Sequence, residues 1–271
     1  MEDVSRADAP VRGPGGQRVD LPLVSGLSWP GVRYFSTTRM GGVSRGAYAS
    51  FNLGMHTGDD PARVRENRSY LRGLLPADPL WLDQVHGGEV LDADSHEDRG
   101  GAPPKADAAV TTRPECVLAI MTADCLPVVL ADVDGTVLGV AHAGWRGLAG
   151  SVLEHTVERL RALRPNAPGF RAWIGPAISQ RCFEVGSDVY AAFVDHDAQA
   201  RHYFVRSARA RGKWLADLAS LARHRLTRAG VEDVELSGYC TYGQPERFYS
   251  YRRASDTGRG ATIAWLLPRR A

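Results

Sequence analysis

Short runs of apolar or alternating residues recur along the chain and predict β-strands. Each run is only a few residues long, and residues that favour turns separate one run from the next. Strands of this length are typical of sheets in which at least one face is buried. The predicted strands are 32–38, 106–112, 116–122, 127–131, 137–141, 172–174, 234–237 and 261–267.

Segments with apolar residues at helical spacing lie between these runs. The predicted helices are 61–75, 148–163, 185–194 and 213–229. The first begins after Asp60 with Pro61, an acidic cap followed by proline at the first helical position. Strands alternate with helices without a repeat period or a long linker. The pattern therefore predicts a single α/β domain of α+β type with mixed sheets over residues 21–271. The polar segment 1–20, rich in Gly and Pro, is predicted to be a disordered leader.

Composition narrows the classes of protein that this chain can represent. It is 44% hydrophobic and 24% charged, with a formal net charge of +2, which argues against nucleic acid and membrane partners. No segment reaches the ~20 apolar residues of a membrane span. The four cysteines are far apart and form no CxxC pair, which favours a reducing, cytoplasmic setting. We expect a cytoplasmic monomer that acts on small molecules.

The stretch TADCLPVVLADVDGTVLGVAHAGWRG, residues 122–147, predicts a β-hairpin with chemistry at its open end. Asp134-Gly135 is a strong signal for a tight turn, because Gly accepts a positive φ. If these two residues are central, opposed residues have numbers that sum to about 269. Cys125 and His142 then share a face as diagonal neighbours, roughly 7–8 Å apart at Cα. A loop with an odd number of residues would place them on opposite faces.

A cysteine and a histidine in this arrangement suit two chemistries. The imidazole could help to form a thiolate nucleophile. Alternatively, both side chains could bind Zn²⁺, which needs a third protein ligand and keeps one position open. The best third ligand is His86, which leaves a short apolar segment in WLDQVHGGEV. Either residue alone is more commonly a core residue, and their joint placement favours a site.

Several longer motifs carry a resemblance to a known family. They are STTRMGGVSRGAYASFNLG, DQVHGGEV, ADAAVTT, MTADCLPVVL, AHAGWRG, WIGPAISQRCFEVG and CTYGQPERFYSYRR followed by GRGATIAW. Together, in this order, they resemble the YfiH family, which has been described both as a laccase (polyphenol oxidase) domain and as a purine nucleoside phosphorylase. The resemblance covers residues 33–265.

The resemblance implies a fold, a metal and an activity. The fold is similar to the four-layer cysteine-hydrolase type of cytotoxic necrotizing factor. The metal is zinc, with copper as an alternative, held by the residues that match His86, Cys125 and His142. The implied catalytic activity of these residues is phosphorolysis of adenosine, inosine and methylthioadenosine, with adenosine deamination alongside. The usual HxE and PCxxC signature of zinc nucleobase deaminases is absent, so a deaminase here would be built differently.

Five further residues are candidates for binding nucleoside and phosphate. Arg146 lies in the GWRG turn that opens a predicted helix, where backbone N–H groups favour anions. Arg39 and Arg252 are further candidates for an oxyanion. Asn52 is predicted to bond a ribose hydroxyl or a base edge. Asp124, next to the cysteine, is predicted to orient a ligand or to carry a proton.

Other readings of the same residues remain open. The second is a cysteine-dependent amidohydrolase that edits cytoplasmic peptidoglycan precursors, with Cys125 as nucleophile and His142 as base. The third is a copper-dependent polyphenol oxidase. The chain has no HxH pair for a multi-copper centre, although one Cys and two His could hold a single copper ion. A non-enzymatic partner-binding protein is least favoured, because it needs no converging metal ligands.

Overall fold

The computed structural model describes residues 10–12, 18–97 and 100–268. Of the predicted leader, residues 1–9 and 13–17 lie outside the described residues. The described parts of that segment, Pro10–Arg12 and Arg18–Asp20, pair as two antiparallel strands. The division into a leader and a domain stays a prediction.

The described residues form strands β1 to β15, helices α1 to α5 and three short 3₁₀ helices. The strands are, in order, Pro10–Arg12, Arg18–Asp20, Leu23–Val24, Val32–Thr37, Val90–Asp92, Ala108–Thr111, Leu118–Thr122, Leu126–Asp132, Leu138–Ala143, Phe170–Ile174, Glu184–Val185, Phe204–Arg206, Trp214–Ala216, Asp233–Leu236 and Gly260–Leu266. The α-helices are Pro61–Arg72, Trp145–Ala149, Val152–Leu163, Ser187–Val194 and Leu218–Arg228. The 3₁₀ helices are Gly46–Tyr48, Gln180–Cys182 and Ala198–Tyr203.

Two large sheets organise the domain. One has six strands in the order β14-β10-β8-β9-β6-β5, and the other has four in the order β3-β4-β15-β7. The six-stranded sheet is mixed, because β5 pairs parallel with β6 and β10 pairs parallel with β14, whereas its other pairs are antiparallel. All eight predicted strands belong to these two sheets. The prediction of a mixed α/β domain is therefore confirmed.

Alternating side chains place one face of each large sheet against helices and the other against the second sheet. In β8, Val128 and Leu130 pack into a cluster with the helices α2 to α5. Val129 and Ala131 point the other way, into a core shared by the two sheets. Because every residue of β8 is buried, the strand reads as a continuous apolar run.

The four-stranded sheet shows the same alternation. In β15, Ala264 and Leu266 enter the shared core, whereas Ala261 and Ile263 pack on the opposite side with residues of α1 such as Leu71. The layers therefore run from helices through two sheets to a further helix. Across the described part of the chain, no helix has both the length and the apolar character that a membrane crossing requires.

Three of the predicted helices need correction. The segment 148–163 is two helices, because Ser151 has a positive φ of 68° between α2 and α3, and α2 already begins at Trp145. The segment 213–229 begins as strand β13, and its helix starts only after Asp217, whose carboxylate accepts a bond from the Ser220 N–H. In the segment 185–194, the helix starts at Ser187.

Candidate metal centre and its cavity

The hairpin of β8 and β9 has the predicted register. Pro127 lies opposite His142, and Leu126 lies opposite Ala143, so the paired numbers sum as expected. Gly135 has a φ of 62° in the connecting turn, which a residue with a side chain adopts only under strain. This register brings the end of β9 beside the residue that precedes β8, where Cys125 lies.

His86, Cys125 and His142 converge at the open end of this hairpin. Their ligand atoms all lie within 4.8 Å of one another. The two imidazole rings meet edge to face, with centroids 4.7 Å apart and an interplanar angle of 81°. His142 is buried, Cys125 is half-buried and His86 is exposed, so the cluster reaches from the interior to the surface. The structure therefore brings together the three residues that the sequence predicts as metal ligands.

Asp107, which the sequence pattern does not single out, positions His86. Its carboxylate accepts hydrogen bonds from the backbone N–H groups of Val85, His86 and Gly87, at 3.2, 2.9 and 2.6 Å. These bonds hold the loop with His86 at a φ of 60°, a left-handed conformation that is costly for a residue with a side chain. The loop is thus shaped by one buried carboxylate.

Asp107 also orients His142. Its carboxylate lies 2.8 Å from Nδ1 of His142, and its backbone carbonyl accepts a 2.6 Å bond from the His142 N–H. Nδ1 then carries the proton, and Nε2 is left free to face the sulfur of Cys125. A carboxylate behind a histidine is the usual support of a metal-ligating imidazole. The available signal was a single acid in the segment KADAAV, just before strand β6.

Gly144 keeps the space between the ligands open. A Cβ atom at this position would lie 2.9 Å from Sγ of Cys125 and 3.1 Å from Cδ2 of His86. Its backbone has a φ of −62° and a ψ of 162°, which any residue adopts. The requirement for glycine is therefore steric: a side chain here would push two of the three ligands.

The three side chains shift one another's protonation. Burial of the sulfur raises the pKa of Cys125, but the charge of His142 and hydrogen bonds from both histidines outweigh burial and lower this pKa to about 6. Burial opposes the imidazolium of His142, but the charge of Cys125 and the bond to Asp107 raise its pKa to about 9. Without a bound metal ion, the pair is thus a thiolate and an imidazolium at neutral pH.

The donor set fits a borderline-soft metal ion. One thiolate and two imidazoles are ligands that zinc and copper prefer, whereas magnesium and calcium prefer oxygen. Three protein ligands leave a coordination position open, as in catalytic zinc sites. The exposed side of the cluster, at His86, faces a cavity that can supply the remaining ligand.

This cavity has a volume of about 570 Å³, within the usual range for small-molecule sites. Its floor contains the three candidate ligands. Apolar side chains and cationic side chains form much of the rest. The lining residues are His56, Leu82, Asp83, Gln84, His86, Met121, Thr122, Ala123, Asp124, Cys125, His142, Ile178, Phe183, Tyr251, Arg252 and Arg259.

Two of the five predicted substrate residues line this cavity. Arg252 donates a 2.6 Å bond to the Glu184 carbonyl, and its guanidinium lies 5.0 Å from the centre of the Phe183 ring. Asp124 has a φ of 107°, and its carboxylate accepts bonds from the Thr241 hydroxyl at 2.6 Å and from the Arg252 N–H at 2.7 Å. Asp124 thus ties together the loops that form this wall.

The other three predicted substrate residues lie outside the lining. Arg39 donates to the carbonyl groups of Ala49 and Pro245, at 2.7 and 3.0 Å. Asn52 is fully buried, and its side-chain oxygen accepts the N–H of Arg259 at 2.8 Å. Arg146 is exposed, with its guanidinium 4.4 Å from the ring centre of the neighbouring tryptophan. The structure does not bring these three residues to the candidate metal centre.

Two further lining residues, Arg259 and His56, are not singled out by the sequence pattern. Arg259 stands just before β15, where its backbone is held by Asn52, and His56 lies in the loop that follows SFNLG. Burial lowers the pKa of His56, and the positive charges of Arg259 and Arg68 lower it further. The only available signal was that both residues fall in or beside quoted motifs.

The fold and the site define a single-domain mixed α/β protein with a His–Cys–His candidate metal centre at the floor of a cavity. The model of the family described as multi-copper polyphenol oxidoreductase laccase matches residues 33–267. The chain belongs to this family, which confirms the resemblance drawn from the motifs.

Similar proteins match along nearly their whole length. A Pseudomonas aeruginosa protein named purine nucleoside phosphorylase is 48% identical over 243 residues, which cover 88% of this chain and 96% of that protein. The purine nucleoside phosphorylase YfiH of Escherichia coli is 46% identical over 244 residues, which cover 88% and 97%.

Solved structures show the same fold. A Neisseria meningitidis protein of the DUF152 family matches with a TM-score of 0.83 and 42% identity, covering 92% of this chain and 99% of that one. YfiH of Bacillus licheniformis matches with a TM-score of 0.83 and 28% identity, covering 98% and 100%.

Proposed function

We propose that this protein is a zinc-dependent purine nucleoside phosphorylase. The reaction splits adenosine, inosine or methylthioadenosine with phosphate, yielding the free base and ribose 1-phosphate or its methylthio form. The observation that carries the proposal is the convergence of His86, Cys125 and His142 at the floor of a cavity large enough for a nucleoside. The names of the relatives, at 46–48% identity, support the same activity.

The proposal puts phosphate beside the arginine side chains of this cavity. Arg252, Arg259 and His56 line it, and guanidinium groups bind phosphate oxygens in pairs. In the proposed reaction, a phosphate oxygen forms a bond to C1′ of the ribose as the glycosidic bond breaks. The base leaves with the bonding electrons and takes up a proton. An anion beside His56 opposes the repulsion that lowers the pKa of this histidine, and so favours a protonated imidazole.

The proposal puts the purine against the apolar side chains of the cavity. Leu82, Met121, Ile178 and Phe183 line the cavity, and an aromatic ring beside an arginine offers a stacking surface for a base. A flat heterocycle that covers these side chains removes apolar area from water, which favours binding by roughly 25 cal/mol per Å². This wall would select for bases over charged groups.

Zinc would be held by His86, Cys125 and His142. When bound, zinc supplies a Lewis acid and lowers the pKa of a coordinated water. We extend the proposal to adenosine deamination, in which water replaces the amino group of the base and ammonia leaves.

The fold is proposed to be of the four-layer cysteine-hydrolase type, which the order helix, sheet, sheet, helix supports. A cytoplasmic monomer is also proposed, and the four free cysteines support a reducing setting.

Phosphate-dependent release of hypoxanthine from inosine tests the proposal. Purified zinc-loaded protein should release hypoxanthine and ribose 1-phosphate in equal amounts, and only when phosphate is present. Cys125→Ala should abolish the release, whereas Cys116→Ala, which changes a cysteine outside the cavity lining, should retain it. Release without phosphate, or no release from zinc-loaded protein, contradicts the proposal. Conversion of adenosine to inosine is followed in the same samples.

One observation favours a second candidate, a cysteine-dependent amidohydrolase. The Cys125 thiolate faces His142, which Asp107 orients, and this is the order of a nucleophile, a base and an orienting acid. The thiolate would attack the amide carbonyl carbon of a muramyl-linked amino acid, and the amine would leave with a proton from His142. Water, deprotonated by His142, would then cleave the thioester, which releases the carboxylic acid and restores the thiolate. Hydrolysis of a muramyl-serine amide without phosphate, lost in Cys125→Ser, would identify this activity.

The third candidate, a copper-dependent polyphenol oxidase, has less support. Within the described residues, His86, Cys125 and His142 are the one group of three metal-competent side chains of this kind. They suffice for a single copper ion and not for a multi-copper centre. Oxidation of a phenol that begins only when copper is added would mark this activity.

A further inference from the structure

A second pair of reactive side chains lies beside the cavity and outside its lining. Cys182 ends the 3₁₀ helix Gln180–Cys182, and Cys240 forms an isolated bridge with Ala177. The two residues are far apart in sequence, but Ser179 contacts both: its carbonyl accepts the Cys182 N–H at 3.0 Å, and its hydroxyl donates to the Cys240 sulfur at 3.0 Å. Both are half-buried, so small reagents can reach them.

Cys240 lies in a cradle of hydrogen-bond donors. Its sulfur accepts bonds from the Ser179 hydroxyl at 3.0 Å, the Ser179 N–H at 3.4 Å and the Gly243 N–H at 3.3 Å. Several donors around one sulfur are the environment that stabilises a thiolate.

The two thiols are therefore not equivalent. Burial raises the pKa of Cys240, but the donors from Ser179, Gly243 and Cys182 outweigh burial and lower it. Burial raises the pKa of Cys182, and the neighbouring charge of Cys240 adds to this rise. The Cys240 sulfur, which accepts these hydrogen bonds, is thus the better nucleophile of the two. This is the arrangement of an attacking and a resolving cysteine.

We propose that Cys182 and Cys240 are a redox-active dithiol, which a peroxide oxidises to an intramolecular disulfide. This site is separate from the metal centre and does not depend on the proposed function.

The chemistry balances with hydrogen peroxide as the oxidant. The Cys240 thiolate attacks one peroxide oxygen, the O–O bond breaks, and a sulfenic acid and hydroxide form. The Cys182 sulfur then attacks the Cys240 sulfur, the S–O bond breaks, and water forms from the leaving hydroxide and the thiol proton. The two sulfurs lose two electrons in total, and the peroxide gains them. A dithiol reductant reverses the step.

The position of the pair connects it to the cavity. Ile178 and Phe183 line the cavity, and the residues between them include Ser179 and Cys182. A covalent bond from Cys182 to Cys240 would tie this wall segment to the segment of Cys240, which already pairs with Ala177 through the isolated bridge. Oxidation would thus constrain the wall against which the Arg252 guanidinium packs.

The test is peptide mapping of the full-length zinc-loaded protein after treatment with a small excess of hydrogen peroxide. Trypsin should yield the fragments 182–201 and 229–247, each with a single cysteine. We expect these two fragments to be linked under non-reducing conditions and released by a dithiol. Two of the four thiols should be lost to alkylation.

Two variants keep the test decisive. In Cys182→Ser, the resolving sulfur is gone, so dimedone should trap a sulfenic acid at Cys240 and no link should form. In Cys116→Ser, the link should form as in the wild type. Oxidation without linkage of the two fragments, a link that involves Cys116, or oxidation that spares Cys240 in Cys182→Ser would overturn the proposal.

Discussion

At Gly144, the absence of a side chain creates the space that the candidate ligands occupy. The backbone conformation there suits any residue, so the need for glycine comes from Cys125 and His86 alone. A substitution at such a position can therefore change the geometry of the site without changing the ligands themselves. A substitution at Gly144 removes no ligand and changes only where two of them lie.

Gly144→Ala should therefore weaken zinc binding in a folded protein. The added Cβ would come within 2.9 Å of Sγ of Cys125, and we expect an affinity loss of about 10- to 100-fold, as for other changes that displace metal ligands. Competition with a chromogenic chelator measures the affinity. Gly101→Ala is the control, because a Cβ there has no atom within 4 Å. Equal affinities in the two variants would contradict the steric argument.

Asp107→Asn should weaken both the metal centre and the fold. An amide keeps the shape of the side chain, but it has one acceptor oxygen for the N–H groups of the His86 loop and for Nδ1 of His142. We expect a loss of about 10- to 100-fold in zinc affinity and of roughly 2 kcal/mol in the free energy of unfolding.

The control for this prediction is Asp132→Asn. Asp132 also accepts backbone N–H groups, from Thr136 at 2.6 Å and Val137 at 3.0 Å, but it lies at the other end of the hairpin. Its loss should lower the stability to a similar extent without changing the zinc affinity. If both variants lose zinc affinity equally, Asp107 acts only through the stability of the fold.

The thiolate of Cys125 should persist to an unusually low pH in metal-free protein. Its pKa falls from 9.0 to about 6, so its contribution to stability is complete above pH 9 and is lost as the pH falls through 6. His142, with its pKa raised from 6.5 to about 9, contributes below pH 6.5 and loses this contribution as the pH rises through 9. Because the two contributions change in opposite directions with pH, the free energy of unfolding is a poor measure of the ionisation of this pair.

The rate of alkylation measures the ionisation of Cys125 directly. The rate of iodoacetamide labelling at Cys125, followed by mass spectrometry, should be half-maximal near pH 6. In His142→Ala, the half-maximal pH should rise, because the largest favourable charge is gone. A half-maximal pH near 9 in the wild type would show that the imidazole does not stabilise the thiolate.

At the scale of elements, the hairpin tip is locked to the neighbouring sheet. Gly135 has a φ of 62°, and a Cβ there would lie 2.1 Å from the Pro30 carbonyl oxygen. Gly135→Ala should cost roughly 1–2 kcal/mol for the left-handed conformation and a further 1–3 kcal/mol for the clash, measured by urea unfolding. Gly46 has a similar φ of 60°, but a Cβ there would have no atom within 4 Å. Gly46→Ala should therefore show only the cost of the left-handed conformation. Equal losses would mean that the contact with Pro30 is unimportant.

The elements that the sequence predicted share one property: a strong local pattern. The β8–β9 register followed from a turn signal and from period-two alternation, which act over a few residues. The sequence predicts helix for the short strand Trp214–Ala216, because its apolar residues continue the helical spacing of the apolar residues in α5. Likewise, the break between α2 and α3 occurs at Ser151, which has a left-handed backbone conformation. Glycine would have indicated such a conformation in the sequence, but serine does not.

The distinction between local and distant contacts also explains which residues of the site could be predicted from the sequence. Cys125 and His142 were predictable because one hairpin holds both. Asp107 contacts His86 and His142 from outside the hairpin, just before strand β6, and only the assembled sheet reveals this. Arg259 reaches the cavity from a loop more than a hundred residues away from the hairpin's first ligand, so no local spacing could indicate it.

At the scale of the whole molecule, two packed sheets provide a rigid base for a cavity built from loops. The hairpin that carries Cys125 and His142 is central in the six-stranded sheet, whereas the walls come from segments around Leu82, Phe183 and Arg252. Buried central strands hold ligands in fixed positions, and loops supply the groups that select a substrate. This arrangement suits the proposed function, in which the metal ligands stay fixed and substrates exchange through the cavity.

The most direct test of the central claim is the zinc content of the purified protein, measured by mass spectrometry beside its inosine activity. Wild-type protein should contain about one zinc ion per chain, and His86→Ala, Cys125→Ala and His142→Ala should each lose most of it together with phosphate-dependent turnover. Wild-type protein that cleaves inosine while it binds no metal, or variants that keep a full zinc ion, would contradict the account.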